Sequence, residues 1–367
     1  MISYEQKLIP AREPPIAHMG VGGWLRRNLF SSPFNTLVTL IIGYGLFQII
    51  PPLIQWAFLK ATWLGDDSSA CATEGACWAF VTARIDQFFY GFYPEAQRWR
   101  VNLFFAQLTV LLVWLVVKGI PGKKWALAYA MLPMPLVSWG LLYGDFAGLE
   151  RVETHQWGGV MLTLLLALCG MIASLPLGVL LALGRRSNMP VIRSLCTAYI
   201  ELWRGVPLIT VLFMASVMLP LFVPEQVVFD KLLRALIGIA LFQSAYMAEV
   251  IRGGLQAIPK GQTEAFQSLG LSYWQGMLMI VLPQAMRLVI PGIVNTFIAL
   301  FKDTSLVLII GLFDLLAIVQ AGINDSAWLG SSVEGYLFAG LIFWVFCFGM
   351  SRYSQQLERH LKQGGSI

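Results

Sequence analysis

Four residues able to bind both ends of a zwitterion lie between two apolar runs of the chain: Lys302, Asp303, Thr304 and Ser305. Ionisable groups in such surroundings are costly to bury, and they usually pair with each other or face a cavity. Together the four side chains supply donors for a carboxylate and acceptors for an ammonium group. They are candidates for substrate binding, and the alternative is a structural ion pair beside polar helix caps.

Further polar residues of the apolar runs are candidates for the same cavity: Gln243, Ser244, Glu249, Asn295, Thr296 and Asp314. Glu249 is better interpreted as structural, because Arg252 lies one helical turn further on. Catalysis finds no support, since His18, His155 and His360 are isolated and no His-Glu-x-x-His or Gly-x-Ser-x-Gly pattern occurs. The sequence also has no phosphate-binding loop of the Gly-x-x-x-x-Gly-Lys-Ser/Thr type, so we expect neither an enzyme nor a bound metal or cofactor.

The elements that carry these residues are too apolar for a water-soluble protein. Hydrophobic residues make up 57% of the chain and charged residues only 12%. A helix needs about 20 apolar residues to cross a bilayer, and about eight runs approach that length. They are Asn35–Ala57, Val101–Val117, Trp125–Tyr143, Val160–Gly184, Pro207–Val223, Leu232–Ile251, Met286–Phe301 and Tyr336–Met350. Because the runs lack the alternation of barrel strands, they predict an all-α polytopic membrane protein.

Charge predicts the orientation. Lysine and arginine concentrate in alternate connecting segments, which indicates that these segments and both termini are cytoplasmic. The basic excess therefore suits a membrane protein and gives no reason to expect nucleic-acid binding. Residues 1–34 are interpreted as a retained cytoplasmic tail and residues 354–367 as a second one. If the ninth apolar run, Thr304–Val319, crossed the membrane, the basic C-terminal tail would lie outside; we therefore expect a re-entrant or short outer-leaflet helix there.

A long outside loop, residues 60–100, is rich in aromatic residues: Trp78, Phe88, Phe89, Tyr90, Phe92 and Tyr93. These suit a membrane-surface belt, and a docking surface for an extracytoplasmic partner is the alternative. Cys71 and Cys77 lie in the same loop and could form a disulfide in an oxidising compartment or stay free.

A polar segment, residues 253–285, separates two of the apolar runs. Pro259 is typical of a helix start and Gly270 of a left-handed helix end, and Ala265, Phe266 and Leu269 would share one face. Ser272 and Gln275 have the spacing of a capping box, which predicts a second helix as far as the vicinity of Pro283. An amphipathic hairpin resting on lipid headgroups is the alternative, although lipid binding does not need the polarity of residues 260–264.

This segment resembles the coupling loop of permease subunits in type I ABC importers. The resemblance rests on Glu264-Ala265-Phe266, Gly270 and Leu282-Pro283, with Phe266 where the family usually has a second alanine. The flanking motifs are similar to those of polar amino-acid permeases: residues 204–208, 245–254, 258–262, 282–285 and 302–306. The similarity extends over about residues 160–355, and residues 75–80 resemble the longer subunits of bacterial general L-amino-acid importers.

The resemblance implies a permease subunit of an ATP-driven L-amino-acid importer in the bacterial inner membrane. A five-helix core at residues 151–353 would follow a three-span extension at residues 35–150. An ATPase dimer would bind ATP and receive the coupling loop through Lys260, Thr263, Glu264, Ala265, Phe266, Leu269 and Gly270. A periplasmic amino-acid-binding protein and a homologous second permease, in a heterodimer rather than a homodimer, would complete the complex. Arg204 would serve as a gate or as a cytoplasmic anchor. The competing hypothesis is an ion-coupled secondary transporter, which would leave the polar loop unexplained.

Overall fold

The computed structural model describes residues 20–72, 74–117, 119–146, 148–222 and 230–363, with side chains as far as residue 359. Most of the N-terminal tail, including His18, and the last four residues lie outside them, as does the side chain of His360. The predicted all-α membrane fold is confirmed in the described part, where the one strand, β1, is the two-residue Phe313–Asp314.

The α-helices of the described residues are, in chain order, α1 Gly20–Asn28, α2 Pro33–Ile54, α3 Ala79–Tyr90, α4 Arg98–Val116, α5 Lys123–Met131, α6 Pro133–Tyr143, α7 Gly159–Arg185, α8 Pro190–Gly205, α9 Leu208–Phe213, α10 Lys231–Ala257, α11 Lys260–Ser268, α12 Tyr273–Gly276, α13 Leu282–Asp303, α14 Leu315–Ile323 and α15 Ser332–Gln363. Short π-helical or 3₁₀ segments extend several of them: Gln55–Leu59, Glu95–Gln97, Met214–Met218, Leu219–Phe222, Met277–Val281 and Thr304–Ile310.

Among the described residues, six helical stretches are long and apolar enough to cross a membrane, and the number rises to eight if each of two bent pairs is one span. The six are Pro33–Leu59, Glu95–Val116, Gly159–Arg185, Lys231–Ala257, Tyr273–Ile310 and Ser332–Arg359. The bent pairs are α5 with α6, at 49°, and α8 with the stretch Leu208–Phe222, at 101°. The predicted span Trp125–Tyr143 therefore corresponds to the bent pair of α5 and α6, and the described part of the predicted span Pro207–Val223 follows the sharp bend after α8.

The sharp bend between α8 and α9 has a local cause. Val206 precedes Pro207 and has an extended backbone, with φ −117° and ψ 137°. The proline ring disfavours the helical region for the residue before it, so the helix ends there and restarts at Leu208. The residues before the bend form α8, whose first residue is Pro190, a position where the missing amide donor of proline costs nothing.

One of two compact units comprises the chain to Gly65 together with Ser69–Trp78. In it, the Ser32 hydroxyl caps α2 by accepting a hydrogen bond from the Asn35 amide. Every residue of α2 is exposed or only partly covered, as expected for a helix surrounded by lipid. Cys71 and Cys77 form a disulfide with their Cα atoms 5.4 Å apart, and Lys60 pairs with Glu74 at 2.6 Å.

The second unit comprises Asp66–Ser68 and the chain from Ala79 onward. Helices α7 and α10 pack along each other in its centre, and α13 packs against α10. Helix α3 packs against α7, α14 and α15. Phe88 is fully buried there, with its ring 5.2 Å from that of Phe338, and Tyr93 is almost fully buried. The expected aromatic belt is wrong for these two residues, because their rings fill the protein core.

Candidate functional site

The predicted short helix in the polar loop is α11, and its two ends are as predicted. It begins after Pro259 and ends before Gly270, which has φ +74°. The Gly270 amide donates to the Gln267 carbonyl at 2.9 Å and the Leu271 amide to the Phe266 carbonyl at 3.2 Å. These two bonds form a Schellman motif, which satisfies the last carbonyls of the helix and turns the chain sharply.

The predicted common face of α11 is wrong. Phe266 is only 1% exposed, whereas Leu269 is 75% exposed and Ala265 is also exposed. The Phe266 ring lies directly over Gly276, where an added Cβ would come within 2.2 Å of a ring carbon. Consecutive helix residues point about 100° apart, so burying Phe266 against α12 turns Ala265 outward.

Phe266 connects α11 to the ends of several long helices. It belongs to one buried apolar cluster with Leu183 of α7, Ile200 of α8, Met247 and Leu255 of α10 and Ala285 of α13. The outer face of α11 is polar by contrast, with Lys260, Gln262 and Glu264 exposed. This short helix therefore has an inner side fixed to the core of the second unit and an outer side open for a partner.

The helix after α11 is longer than predicted. The Ser272 hydroxyl and the Gln275 side chain form the expected capping box. The helix then passes through the π-helical turn Met277–Val281 into α13 without stopping at Pro283, contrary to the expected end there. Pro283 is tolerated because it lies in the first turn after the π-helical turn, where the regular bonding pattern is already interrupted. The Gln284 side chain donates to that of Gln262 at 3.1 Å, which ties α13 back to α11.

Glu249 of α10 is the acceptor of an arginine cluster. Its carboxylate lies 2.6 Å from Arg185, 2.9 Å from Arg252 and 3.8 Å from Arg204. Arg185 also contacts Glu201 at 2.8 Å. The structural interpretation of Glu249 fits this geometry, since one carboxylate holds together α7, α8 and α10. Arg204 lies over the Tyr246 ring at 5.7 Å, so it is anchored at the bend between α8 and α9.

The four residues of the candidate substrate site do not converge on one point. The Lys302 side chain is exposed and Asp303 half-buried, and neither makes an ion pair with the residues that the structure describes. The Thr304 hydroxyl donates to the Phe301 carbonyl at 2.7 Å and the Ser305 hydroxyl to the Lys302 carbonyl at 2.9 Å. The hydroxyls therefore act within their own helix, and the two charged groups remain available.

The other cavity candidates have mixed positions. Gln243 is buried and donates to the Thr296 carbonyl at 2.9 Å, so it joins α10 to α13. Asn295 is exposed.

Asp314 is fully buried and caps α14, accepting from the Leu316 and Ala317 amides at 3.2 and 3.0 Å. Burial raises the pKa of Asp314 to about 6. The predicted segment Thr304–Val319 is divided: Thr304–Ile310 continues the stretch that begins at Tyr273, and the rest lies mainly in α14, which with nine residues is too short to cross a bilayer.

Arg234 was not among the candidate residues chosen from the sequence. Arg234 borders an apolar cavity of about 350 Å³ between the Met214–Met218 segment and α10, together with Trp203, Met218 and Ile237. One of its guanidinium nitrogens donates to the Ser216 carbonyl, while Nε is buried and has no hydrogen-bond partner among the described residues. The sequence gives no clear signal for it, because an arginine near the end of an apolar run commonly extends to the membrane surface.

Comparison with known proteins agrees with this architecture. Residues 174–363 match the family described as binding-protein-dependent transport system inner membrane component. The inner membrane amino-acid ABC transporter permease protein YhdY of Escherichia coli is 57% identical, with 93% of each chain covered. The glutamate/glutamine/aspartate/asparagine transport system permease protein BztC of Rhodobacter capsulatus is 38% identical over 97% of each chain.

A solved structure is also similar. It is a crystal structure of an amino acid ABC transporter with histidines, 28% identical to this chain, with 55% of this chain and 92% of that chain covered and a TM-score of 0.49. The match of the family to just over half of the chain and the two long relatives together identify the protein's class. The chain belongs to the binding-protein-dependent transport system inner membrane components, as a permease subunit of the amino-acid ABC importer type.

Proposed function

We propose that this permease converts ATP-driven movement of a cytoplasmic ATPase dimer into switching of an amino-acid path, and that α11 is the point of contact. The supporting observation is the position of Phe266, which is buried in the cluster that joins α7, α8, α10 and α13. A force applied to the exposed side of α11 would reach these helices through close packing, since protein interiors are poorly compressible.

The outer face of α11 suits a protein partner better than lipid. Lys260, Gln262 and Glu264 are exposed beside the apolar Leu269, so the face is mixed in character. A lipid-bound helix would instead present a continuous apolar side. In this proposal Glu264, Ala265, Leu269 and the turn at Gly270 contact the ATPase, Lys260 and Thr263 lie at the margin, and Phe266 fixes the helix from inside.

ATP is bound and hydrolysed by the ATPase subunits, and this chain carries no cofactor. A periplasmic binding protein delivers an L-amino acid, and both termini of the permease lie in the cytoplasm. A homologous second permease completes the path as a heterodimer. Arg204 would form part of a gate in this scheme. It lies at the bend between α8 and α9, where it contacts Glu249 and Tyr246.

The amino acid would contact Lys302 and Asp303 along the path. Their charges are unpaired within the described chain, and they match the carboxylate and ammonium of a zwitterion. The hydroxyls of Thr304 and Ser305 position the helix end, while Gln243 and Asn295 are further polar contacts. Alternating access would follow from a difference in the free energy of binding between inward- and outward-facing states.

Reconstitution tests the proposal. The permease, its ATPase, its binding protein and its second permease would be placed in liposomes, and ATP-dependent uptake of radiolabelled amino acids measured. We expect Glu264→Ala combined with Leu269→Ala to abolish uptake and binding-protein-stimulated ATP hydrolysis, while the thermal stability of the isolated permease is unchanged. Gln267→Ala is the matched control, because Gln267 is also an exposed residue of α11. Uptake by this chain alone, driven by an ion gradient, would refute the proposal.

A further inference from the structure

A strongly basic cavity lies at the end of α7, beside the first half of α8 and the end of α10. Its volume is about 810 Å³, and four arginines line it together with hydroxyl side chains. The arginines are Arg185, Arg186, Arg193 and Arg252, and the hydroxyls include Ser194 and Thr197. Neither the amino-acid path nor the coupling helix accounts for this concentration of positive charge.

The charge of the cavity is only partly neutralised. Arg185 and Arg252 share Glu249, and Arg185 also contacts Glu201. Four arginines against two glutamates leave an excess of two positive charges, and neither glutamate lines the cavity. Arg186 donates to the Leu255 carbonyl, whereas the exposed guanidinium of Arg193 makes no ion pair or hydrogen bond with the described residues. The cavity is therefore complementary to an anion.

A second cavity adjoins the first and has an apolar character. Its volume is about 410 Å³, and it shares Arg186, Ser187 and Asn188 with the basic cavity. Its other walls include Leu180, Ile192 and Trp274. Tyr273 lies beside Trp274, and tyrosine and tryptophan are the residues enriched where a membrane meets water. A basic compartment and an apolar one thus meet along one shared wall.

We propose that the two cavities together bind one anionic phospholipid of the cytoplasmic leaflet. The phosphodiester occupies the basic cavity, where arginine forks suit phosphate oxygens, and the start of an acyl chain occupies the apolar one. This site is separate from the amino-acid path and from the outer face of α11. Because Tyr273 and Trp274 follow the Gly270 turn directly, the lipid would connect α7 and α8 to the helix that braces α11.

The experiment uses the purified full-length chain, delipidated in detergent, and native mass spectrometry. Phosphatidylglycerol and phosphatidylcholine with identical acyl chains are titrated separately. We expect phosphatidylglycerol to bind at least about tenfold more tightly, because two unneutralised arginine charges attract its net negative charge, whereas phosphatidylcholine has no net charge. Arg193→Gln should weaken phosphatidylglycerol binding about fivefold and leave phosphatidylcholine binding unchanged.

The control is Arg287→Gln, since Arg287 is an exposed arginine of α13 that lines neither cavity. It should bind both lipids as the parent chain does. Soluble glycerol phosphate should bind at least about a hundredfold more weakly than the lipid, because it leaves the apolar cavity empty. Equal binding of the two lipids, an equal effect of the two substitutions, or lipid-like affinity for glycerol phosphate would each overturn the proposal, and the last would assign the cavity to a soluble anion.

Discussion

Phe266→Ala is the most informative single substitution in this chain. The side chain is 1% exposed and packs on Gly276, so its removal opens a cavity between α11 and α12. Deleting a buried phenylalanine side chain typically destabilises a protein by about 3–5 kcal/mol. The loss should detach α11 from the cluster it shares with α7, α10 and α13, and coupled transport should fall with it.

The contact between Phe266 and Gly276 can be tested with a double-mutant cycle. In the parent chain, Gly276→Ala would put a Cβ about 2.2 Å from the Phe266 ring, which is far inside contact distance, and should destabilise by about 1–3 kcal/mol. In the Phe266→Ala background that ring is absent. Alanine then benefits from its better helix propensity, and the same substitution should stabilise by about 0.5–1 kcal/mol. The double-mutant cycle should therefore show a coupling energy of about 1.5–4 kcal/mol and a reversal of sign.

The assay is denaturant- or heat-induced unfolding of the purified permease in detergent, followed by ATP-dependent uptake in proteoliposomes. Leu269→Ala is the matched control, because it removes an apolar side chain three residues away that is 75% exposed. It should change the free energy of unfolding by less than about 0.5 kcal/mol while it lowers coupling to the ATPase. If Gly276→Ala has the same effect on the free energy of unfolding in both backgrounds, the Phe266 ring does not fix α11 by packing on Gly276.

Three further predictions concern charged groups. Glu249→Gln leaves its arginine partners without their carboxylate and should lower the free energy of unfolding by about 3 kcal/mol, which thermal denaturation would detect; a loss below about 1 kcal/mol would contradict the cluster's role. The pKa of Asp314 is raised from 3.8 to about 6, so its ionisation opposes folding: stability should fall by about 3 kcal/mol as pH rises from about 4 to above 6. Asp314→Asn keeps the helix cap and should remove that slope from unfolding curves measured across this range, and an unchanged slope would refute the assignment. Lys302→Ala and Asp303→Asn should each reduce ATP-dependent uptake at least about tenfold while the complex still assembles, and normal uptake by both would exclude them from the substrate path.

Local signals in the sequence predicted much of the structure of the polar segment, residues 253–285. Pro259, Gly270 and the Ser272–Gln275 pair each act through backbone geometry within a few residues, so the ends of α11 and the start of α12 could be predicted. The helical membrane fold also follows from composition and run length alone. Identification of the family required several ordered motifs, and the comparisons confirm it.

Features that depend on distant residues could not be predicted in the same way. The burial of Phe88 requires Phe338, which lies 250 positions later in the sequence but packs 5.2 Å away. The basic cavity exists only because the ends of α7 and α10 meet the start of α8. In the sequence, each of its arginines taken alone is typical of a cytoplasmic anchor. Periodicity alone also could not choose the buried side of α11, since that choice depends on the absence of a side chain at Gly276.

The departure of Phe266 from the usual family pattern therefore has a structural meaning. A residue on the docking face would change the contacts with the ATPase, but this ring points to the inner side, over a glycine of the next helix. The neighbouring Glu264 and Ala265, which do follow the pattern, are exposed. The large ring in α11 lies against a position in α12 that has no side chain. Phe266 therefore affects how α11 packs against the rest of the permease, and it contributes almost nothing to the exposed side of the helix.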